Sequence, residues 1–428
     1  MKFIGAARLR RRMRIVDVCA FYSPAGGGVR TYIEAKLKAA ARLGHELTVI
    51  APGARAEVVQ RGPGAAIATV PGPVFPLDRR YRFFADAAAV HRALDRWQPD
   101  HVEASSPWSS AAMVGSWPGA ATRSLVMHCD PLAAYAYRWF GKLIPFPMID
   151  RLFGWYWRHL RRLDAMFDLV VCANRELTRR LDHGGVAKAE TIAMGVEPGT
   201  FSPHLRSRAL RSSVLASLGL DSDATLLIGI GRLSAEKRWD TVIKAVGALD
   251  RGIGLLIVGD GPRRAQLELL AERTGNALIF PALRDRTELA RLLASADALV
   301  HGCEAETFCM VAAEARASGV PLIVPDRGAA ADHPLPGAGA VYRAGNGRAL
   351  ADAISQLIDR GLEQQRMTAA LHSNVRTIDA HFEQLFARYA TLRGAARAVA
   401  RPAPDLAKPR LTPTLVPARS RVGSGSRR

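Results

Sequence analysis

Short apolar runs rich in strand-forming residues alternate with helix-patterned stretches from Met13 almost to Gly394, and few architectures accommodate that alternation. A strand, a crossover helix and a second strand make a parallel sheet covered by helices on both faces. In the first half strands are expected at Met13–Cys19, Glu46–Ile50, His101–Ala104, Ser124–His128 and Asp168–Ala173. Helices are expected over Val29–Leu43, Arg79–Trp97, Leu132–Leu163 (broken around Pro145 and Pro147) and Arg175–Asp182. The second half repeats the pattern more cleanly, with strands at Leu226–Ile230, Gly254–Val258, Ala277–Phe280, Ala298–His301, Pro321–Val324 and Ala340–Tyr342. These read as continuous apolar runs, the signature of strands buried on both faces.

With 428 residues the chain is long enough for two cores. Gly, Pro and polar residues cluster between Gly184 and Thr225, so the expected division is a basic extension over 1–12, one Rossmann-like domain over 13–190 and a second over 191–375. A helix over 376–394 is expected to cross back, and 395–428, rich in Ala, Pro, Arg and Ser, is expected to be a disordered tail. Five scattered cysteines with no CxxC pair argue for a reducing compartment and against a disulfide scaffold or a zinc site. No apolar run reaches the ~20 residues of a membrane span, and the N-terminus lacks the apolar core of a signal peptide. A cytoplasmic protein is therefore expected.

The formal net charge is +20, but much of it sits at the ends. Residues 1–12 carry five cations and no acid, and 397–428 carry eight cations against Asp405. A nucleic-acid binder is expected to concentrate charge on a folded face beside stacking aromatics. This distribution favours anionic membrane surfaces or phosphate-bearing substrates instead, and no nucleic acid.

Two motifs carry chemistry. Gly231-Arg232-Leu-Ser-Ala-Glu-Lys237 follows an expected strand directly, where open α/β sheets place ligands. Arg232 offers a rigid fork of donors and Lys237 a point charge, a pairing suited to a diphosphate. The second is Glu306-Thr-Phe-Cys-Met-Val-Ala-Ala-Glu314, with the helix expected to begin near Phe308. Glu306 then lies on the loop and Glu314 nearly two turns into the helix, roughly 10 Å away at 1.5 Å per residue. Backbone N–H groups at Cys309, Met310 and Val311 would point at an anion between them. Ala25-Gly26-Gly27-Gly28-Val29-Arg30 opens the first helix; alone, it fits a structural turn as well as a ligand loop.

Taken in order, Gly231-Arg232…Glu236-Lys237, Val258-Gly259-Asp-Gly-Pro262, Ser295-Ala-Asp-Ala298, the Glu306/Glu314 pair with Ala317-Ser-Gly319, and Pro321-Leu-Ile-Val324 resemble the family-4 retaining glycosyltransferases of the GT-B fold, over roughly residues 13–390. The resemblance implies two Rossmann-like domains facing across a cleft, with a C-terminal helix packing back on the first. It implies that Arg232 and Lys237 bind the donor diphosphate, with Gly27, Gly28, Gly259 and Phe308 at the same site, that Glu314 binds the ribose and that Glu306 faces the transferred sugar. A histidine ending the fourth strand, here His128, faces the donor sugar in that family; Asp130 is a lesser candidate for the acceptor. Cys309 stands where most members have Gly. The run Ala305-Glu-Thr-Phe308, with His301 upstream, is similar to members that take mannose from GDP-mannose, and a UDP-sugar such as UDP-glucose is the alternative donor. A sugar-nucleotide epimerase, needing no acceptor, is the alternative activity.

No convincing Asp-x-Asp loop occurs, which fits a metal-independent transfer with no cofactor beyond the nucleotide sugar. Residues 138–162 interleave Trp139, Phe140, Trp155, Tyr156 and Trp157 with six Arg and Lys. Such a segment suits an anionic membrane interface and an aromatic core with solvated arginines nearly equally, with the balance toward membrane contact, so peripheral association with the inner face of the cell membrane is expected. The expected acceptor is a hydroxyl of a lipid-linked sugar or polysaccharide.

Overall fold

The computed structural model describes residues 12–23, 28–76, 81–141, 143–249 and 252–396. Two sheets organise them. The first contains β1 (Arg14–Val18), β2 (Glu46–Gly53), β3 (Glu57–Gly62), β4 (Ala65–Pro71), β5 (His101–Ala104), β6 (Thr122–Met127), β7 (Leu169–Cys172) and β8 (Ala189–Thr191), in the order β3-β4-β2-β1-β5-β6-β7-β8. Only β3 runs antiparallel, paired with β4 at one edge. The second contains β9 (Thr225–Ile230), β10 (Ile253–Val258), β11 (Ala277–Phe280), β12 (Ala298–Val300), β13 (Leu322–Pro325) and β14 (Gly339–Tyr342), all parallel, in the order β11-β10-β9-β12-β13-β14. This is the two-domain GT-B arrangement.

Each sheet has a core on both faces. Val16 and Val18 of β1 pack on one side, Ile15 on the other. In the second sheet Leu226 and Ile228 face one cluster and Leu227 the opposite one. Alternate residues thus point into different cores, so the strands are mostly apolar on both faces, and the polar residues they carry, such as Asp17, His101 and Glu103, are buried. In each sheet the strand order reverses beside a central strand, at β1/β5 and at β9/β12, and crevices open at the carboxyl ends there.

The chain crosses between domains twice at one place. Val196 and Ile378 exchange backbone hydrogen bonds with Arg376 and Val196, each 2.9 Å. The last helix, Ile378–Ala396, then lies on the first domain and buries Phe382, Leu385, Phe386 and Tyr389 against Met13, Ile15 and Leu37. Beneath it Lys36, fully buried, donates to Asp17 (2.9 Å) and Glu103 (2.5 Å), and Tyr389 donates to Glu103 (2.6 Å). A hydroxyl from a helix that follows the second domain thus completes a charged cluster in the first core.

Two expectations need correction. The helix written as Arg79–Trp97 is Ala87–Trp97, because Asp86 caps it by accepting from the Ala88 N–H at 2.8 Å. The helix expected near Phe308 begins at Met310. Residues 1–11 and 397–428, which carry the terminal charge, lie outside the described residues, as does Gly27.

Candidate active site

The loops following β9 and β12 abut because those strands are neighbours. Trp239, fully buried, donates from Nε1 to the Arg232 carbonyl (2.9 Å) and pins the first loop. Gly259 fits beside it for a steric reason: a Cβ there would stand 1.9 Å from the Gly231 carbonyl oxygen. Two ion pairs join the loops. Lys237 binds Glu306, and Arg238 grips Glu304 with two donors, Nε lying 2.6 Å from Oε2. Burial disfavours charge on Lys237 and Glu306, but their attraction outweighs it. The Glu306 carboxyl is held below its ordinary range and the Lys237 ammonium above its own. Both stay charged at neutral pH.

Cys309 is in the left-handed region, φ 62° and ψ 67°, and forms the N-cap of Met310–Ala317. Its Cβ makes that conformation costly, which gives a physical reason for glycine at such a turn. The turn points the first N–H groups of the helix, at Cys309, Met310 and Val311, away from any intrahelical acceptor. Phe308 just before it is anchored by its carbonyl, which accepts from His333 Nε2 at 2.6 Å. Glu314, within the helix and 4% exposed, accepts from Arg286 at 2.6 Å. Burial pushes its carboxyl up, against the pull of Arg286.

The first domain meets this loop from across the cleft. Thr307 donates from Oγ1 to the His128 carbonyl (2.9 Å), and Asn174 donates to the Thr307 carbonyl (2.5 Å). The His128 ring packs edge-on against Tyr32 at 4.8 Å, and burial lowers its pKa to about 4, so it is neutral near pH 7. His128 and Glu306 therefore belong to one neighbourhood, through Thr307. Gly28 opens its helix with nothing within 4 Å of where a Cβ would stand. Asp130 is engaged structurally: it caps Leu132 and Ala133 through their N–H groups (3.1 and 3.2 Å) and pairs with Arg180.

A cavity of about 170 Å³ lies between the domains, lined by Glu304–Thr307 on one side and by Tyr137, Phe146, Asp150 and Arg180 on the other. Tyr137 and Phe146 stack at 4.3 Å, with Arg180 over the first (5.2 Å) and Arg327 over the second (4.7 Å). The aromatic segment beside it divides. Tyr156 and Trp157 are core, whereas Trp139, Leu143, Met148, Leu152 and Trp155 are exposed, Leu143 by 84%, next to exposed Arg151, Arg158 and Arg162. No helix among the described residues is long and apolar enough to cross a membrane.

Sequence reasoning missed Arg286, Arg238, Glu304 and Arg327. Each acts through a partner 28 or more residues away, or, for Arg327, through a ring in the other domain, and no local spacing reveals that.

Residues 26–199 match the family described as Glycosyltransferase Family 4, and 212–372 the family described as Glycosyl transferases group 1. The chain is 31% identical over 371 residues to a GDP-mannose-dependent alpha-(1-6)-phosphatidylinositol dimannoside mannosyltransferase of Mycobacterium tuberculosis, covering 85% of this chain and 93% of that one. It is also 31% identical over 395 residues to a GDP-mannose-dependent alpha-mannosyltransferase of the same species (89% and 97%). Among solved structures it resembles a sucrose-phosphate synthase from Thermosynechococcus elongatus, with TM-score 0.71, 18% identity and coverage of 90% and 100%. It also resembles WaaG, a glycosyltransferase involved in lipopolysaccharide biosynthesis, with TM-score 0.61, 17% identity and coverage of 87% and 98%.

Proposed function

Since the chain belongs to the family-4, group 1 glycosyltransferases, we propose that it transfers mannose from GDP-mannose to a hydroxyl of a membrane glycolipid, retaining the anomeric configuration. The observation that carries this reading is the meeting of cations, a carboxylate and a helix N-terminus at the carboxyl ends of β9 and β12. A breaking glycosidic bond leaves growing negative charge on the diphosphate. Arg232, Lys237 and the N–H groups of Cys309–Val311 supply preorganised positive potential for it. Glu314 would take the ribose hydroxyls. Glu306, its charge already balanced by Lys237, suits stabilisation of the developing positive sugar better than covalent attack on it. The departing phosphate oxygen is then the base that accepts the acceptor hydroxyl's proton, with no metal and no separate cofactor in the step. Mannose and guanine are favoured because both mycobacterial relatives are GDP-mannose-dependent mannosyltransferases.

The acceptor enters from the interdomain cavity, and the exposed aromatic and arginine surface beside it would rest on an anionic membrane face. The enzyme would then work peripherally on the cytoplasmic side. Substituting Leu152→Glu and Trp155→Glu should lower cosedimentation with phosphatidylglycerol vesicles and leave turnover of a water-soluble acceptor intact.

A thermal-shift panel tests the donor. A ligand at ~100 times its dissociation constant stabilises the native state by about 2.7 kcal/mol. GDP and GDP-mannose are expected to raise the melting temperature, and UDP and UDP-glucose to do so far less. A larger shift with the UDP pair would transfer the reading to a UDP-sugar donor, and no shift with any nucleotide would remove its basis.

A further inference from the structure

His301, directly after β12, is 1% exposed. Its Nε2 faces Glu306 Oε1 at 3.3 Å, a contact that helps hold the Glu306 carboxyl below its ordinary range, while Nδ1 has no partner among the described residues. A buried ring nitrogen with nothing to bond is rare enough to call for a cause. Beside it Cys309 keeps a 2%-exposed side chain where the backbone favours none, at φ 62°. Strain of this kind persists where surrounding structure imposes it, and it gathers at functional positions. The two oddities share one place. A ring nitrogen of His301, a carboxylate oxygen of Glu306 and the sulfur of Cys309 all lie within 4.8 Å of one another.

We infer that His301, Glu306 and Cys309 form a binding site for a thiophilic divalent metal ion of the zinc type, and that the ion opposes donor binding. Nitrogen, oxygen and sulfur in one buried set match the ligand preferences of Zn²⁺. Ligands at ~2.0–2.3 Å around a tetrahedral ion stand roughly 3.5 Å apart, so the set must contract by about an ångström. Glu306 and a deprotonated Cys309 balance the two charges of the ion, the thiol proton leaving to solvent. Three protein ligands leave the fourth position open. The local sequence hides the site, because its ligands come from a strand end, a loop and a helix cap rather than from a CxxC pair. Lys237 is the built-in competitor: its ammonium occupies the same carboxylate. An ion that takes Glu306 displaces Lys237 from its partner, and the opposition to donor binding rests on the proposed role of these two residues at the diphosphate and sugar.

Titration of the metal-stripped full chain with Zn²⁺ against a chromophoric chelator, and with Co²⁺ followed by visible absorption, tests the site without any nucleotide. One ion per chain and a thiolate-to-cobalt charge-transfer band are expected. Cys309→Gly, which relaxes the backbone and should fold at least as well, is expected to abolish the band and weaken Zn²⁺ at least about tenfold, since even outer partners of a metal site are worth ~10–100-fold. Cys129→Ser, removing the exposed thiol, should change neither. Lys237→Ala should tighten Zn²⁺, a result that a purely structural lysine would not give. Absence of the band, or a Cys309→Gly protein that binds like the wild type, overturns the site. Tight binding with no effect on the GDP thermal shift would keep the site and reject its opposition to the donor.

Discussion

Removing one partner of the Lys237–Glu306 pair should cost far more than removing both. Each side chain is only 19% exposed, and the two form a direct ion pair joining the loops after β9 and β12. At 4 Å and an effective dielectric constant near 20, two unit charges attract by about 4 kcal/mol, much of it spent on desolvation. Lys237→Met leaves a carboxylate in the cleft with only His301 paired to it among the described residues, and Glu306→Gln leaves an ammonium without its anion. Losses of about 3–5 kcal/mol are the rule for such half-broken buried pairs. The double variant should recover a substantial part, with a coupling energy of about 2–3 kcal/mol, at the upper end for residues in contact. Urea unfolding of the wild type, both single variants and the double variant, with unchanged m-values, measures it. Additivity within about 0.5 kcal/mol would refute the claim that this pair organises the site.

Three further outcomes follow from the structure. Lys36→Met strips the one cation that pairs with Asp17 and Glu103 among the described residues, both fully buried, and should destabilise the first domain by about 3–5 kcal/mol in urea unfolding. Burial lowers the pKa of His128 to about 4 and of His381 to about 3, below the ordinary 6.5, so the unfolded chain binds more protons between those values. Stability should therefore be full above pH 6.5 and fall as the pH drops toward 4, by about 2–3 kcal/mol from His128 alone; a flat profile of calorimetric stability across that range would contradict it. Gly259→Ala places a methyl group 1.9 Å from the Gly231 carbonyl oxygen, so the backbone must shift. It should lower stability by about 1–3 kcal/mol and weaken GDP binding more than acceptor binding, as read by calorimetric titration.

The strands of the second sheet were legible because every one is apolar on both faces, and each lies within a residue or two of its expected position. The edge strands β3 and β8 escaped notice for the opposite reason, and β4, though buried, because its run is rich in alanine, a poor strand former. Glu57–Gly62 is exposed throughout and Ala189–Thr191 only half-buried, so neither carries an apolar run. The carboxylates and cations of the site were legible as residue types at strand ends. Their pairing was not: nothing in Gly231–Lys237 says that Lys237 meets Glu306, 69 residues on, rather than solvent. Nor does spacing reveal that Cys309 sits at positive φ, which depends on the angle between the β12 loop and the helix it enters. Asp130 looked available for an acceptor and is instead committed to Arg180 and to capping the turn that follows it. The aromatic segment offered core and membrane readings together, and it is built as both, Tyr156 and Trp157 inward and Trp139 and Trp155 outward.

The most direct measurement is transfer of radiolabelled mannose from GDP-mannose by the purified full chain to a phosphatidylinositol mannoside in mixed micelles, beside UDP-glucose as donor and a no-acceptor control. The expected result is a labelled lipid product of retained α-configuration, dependent on acceptor and abolished by Glu306→Gln. Label released as free sugar without acceptor, or incorporation from UDP-glucose alone, would contradict it.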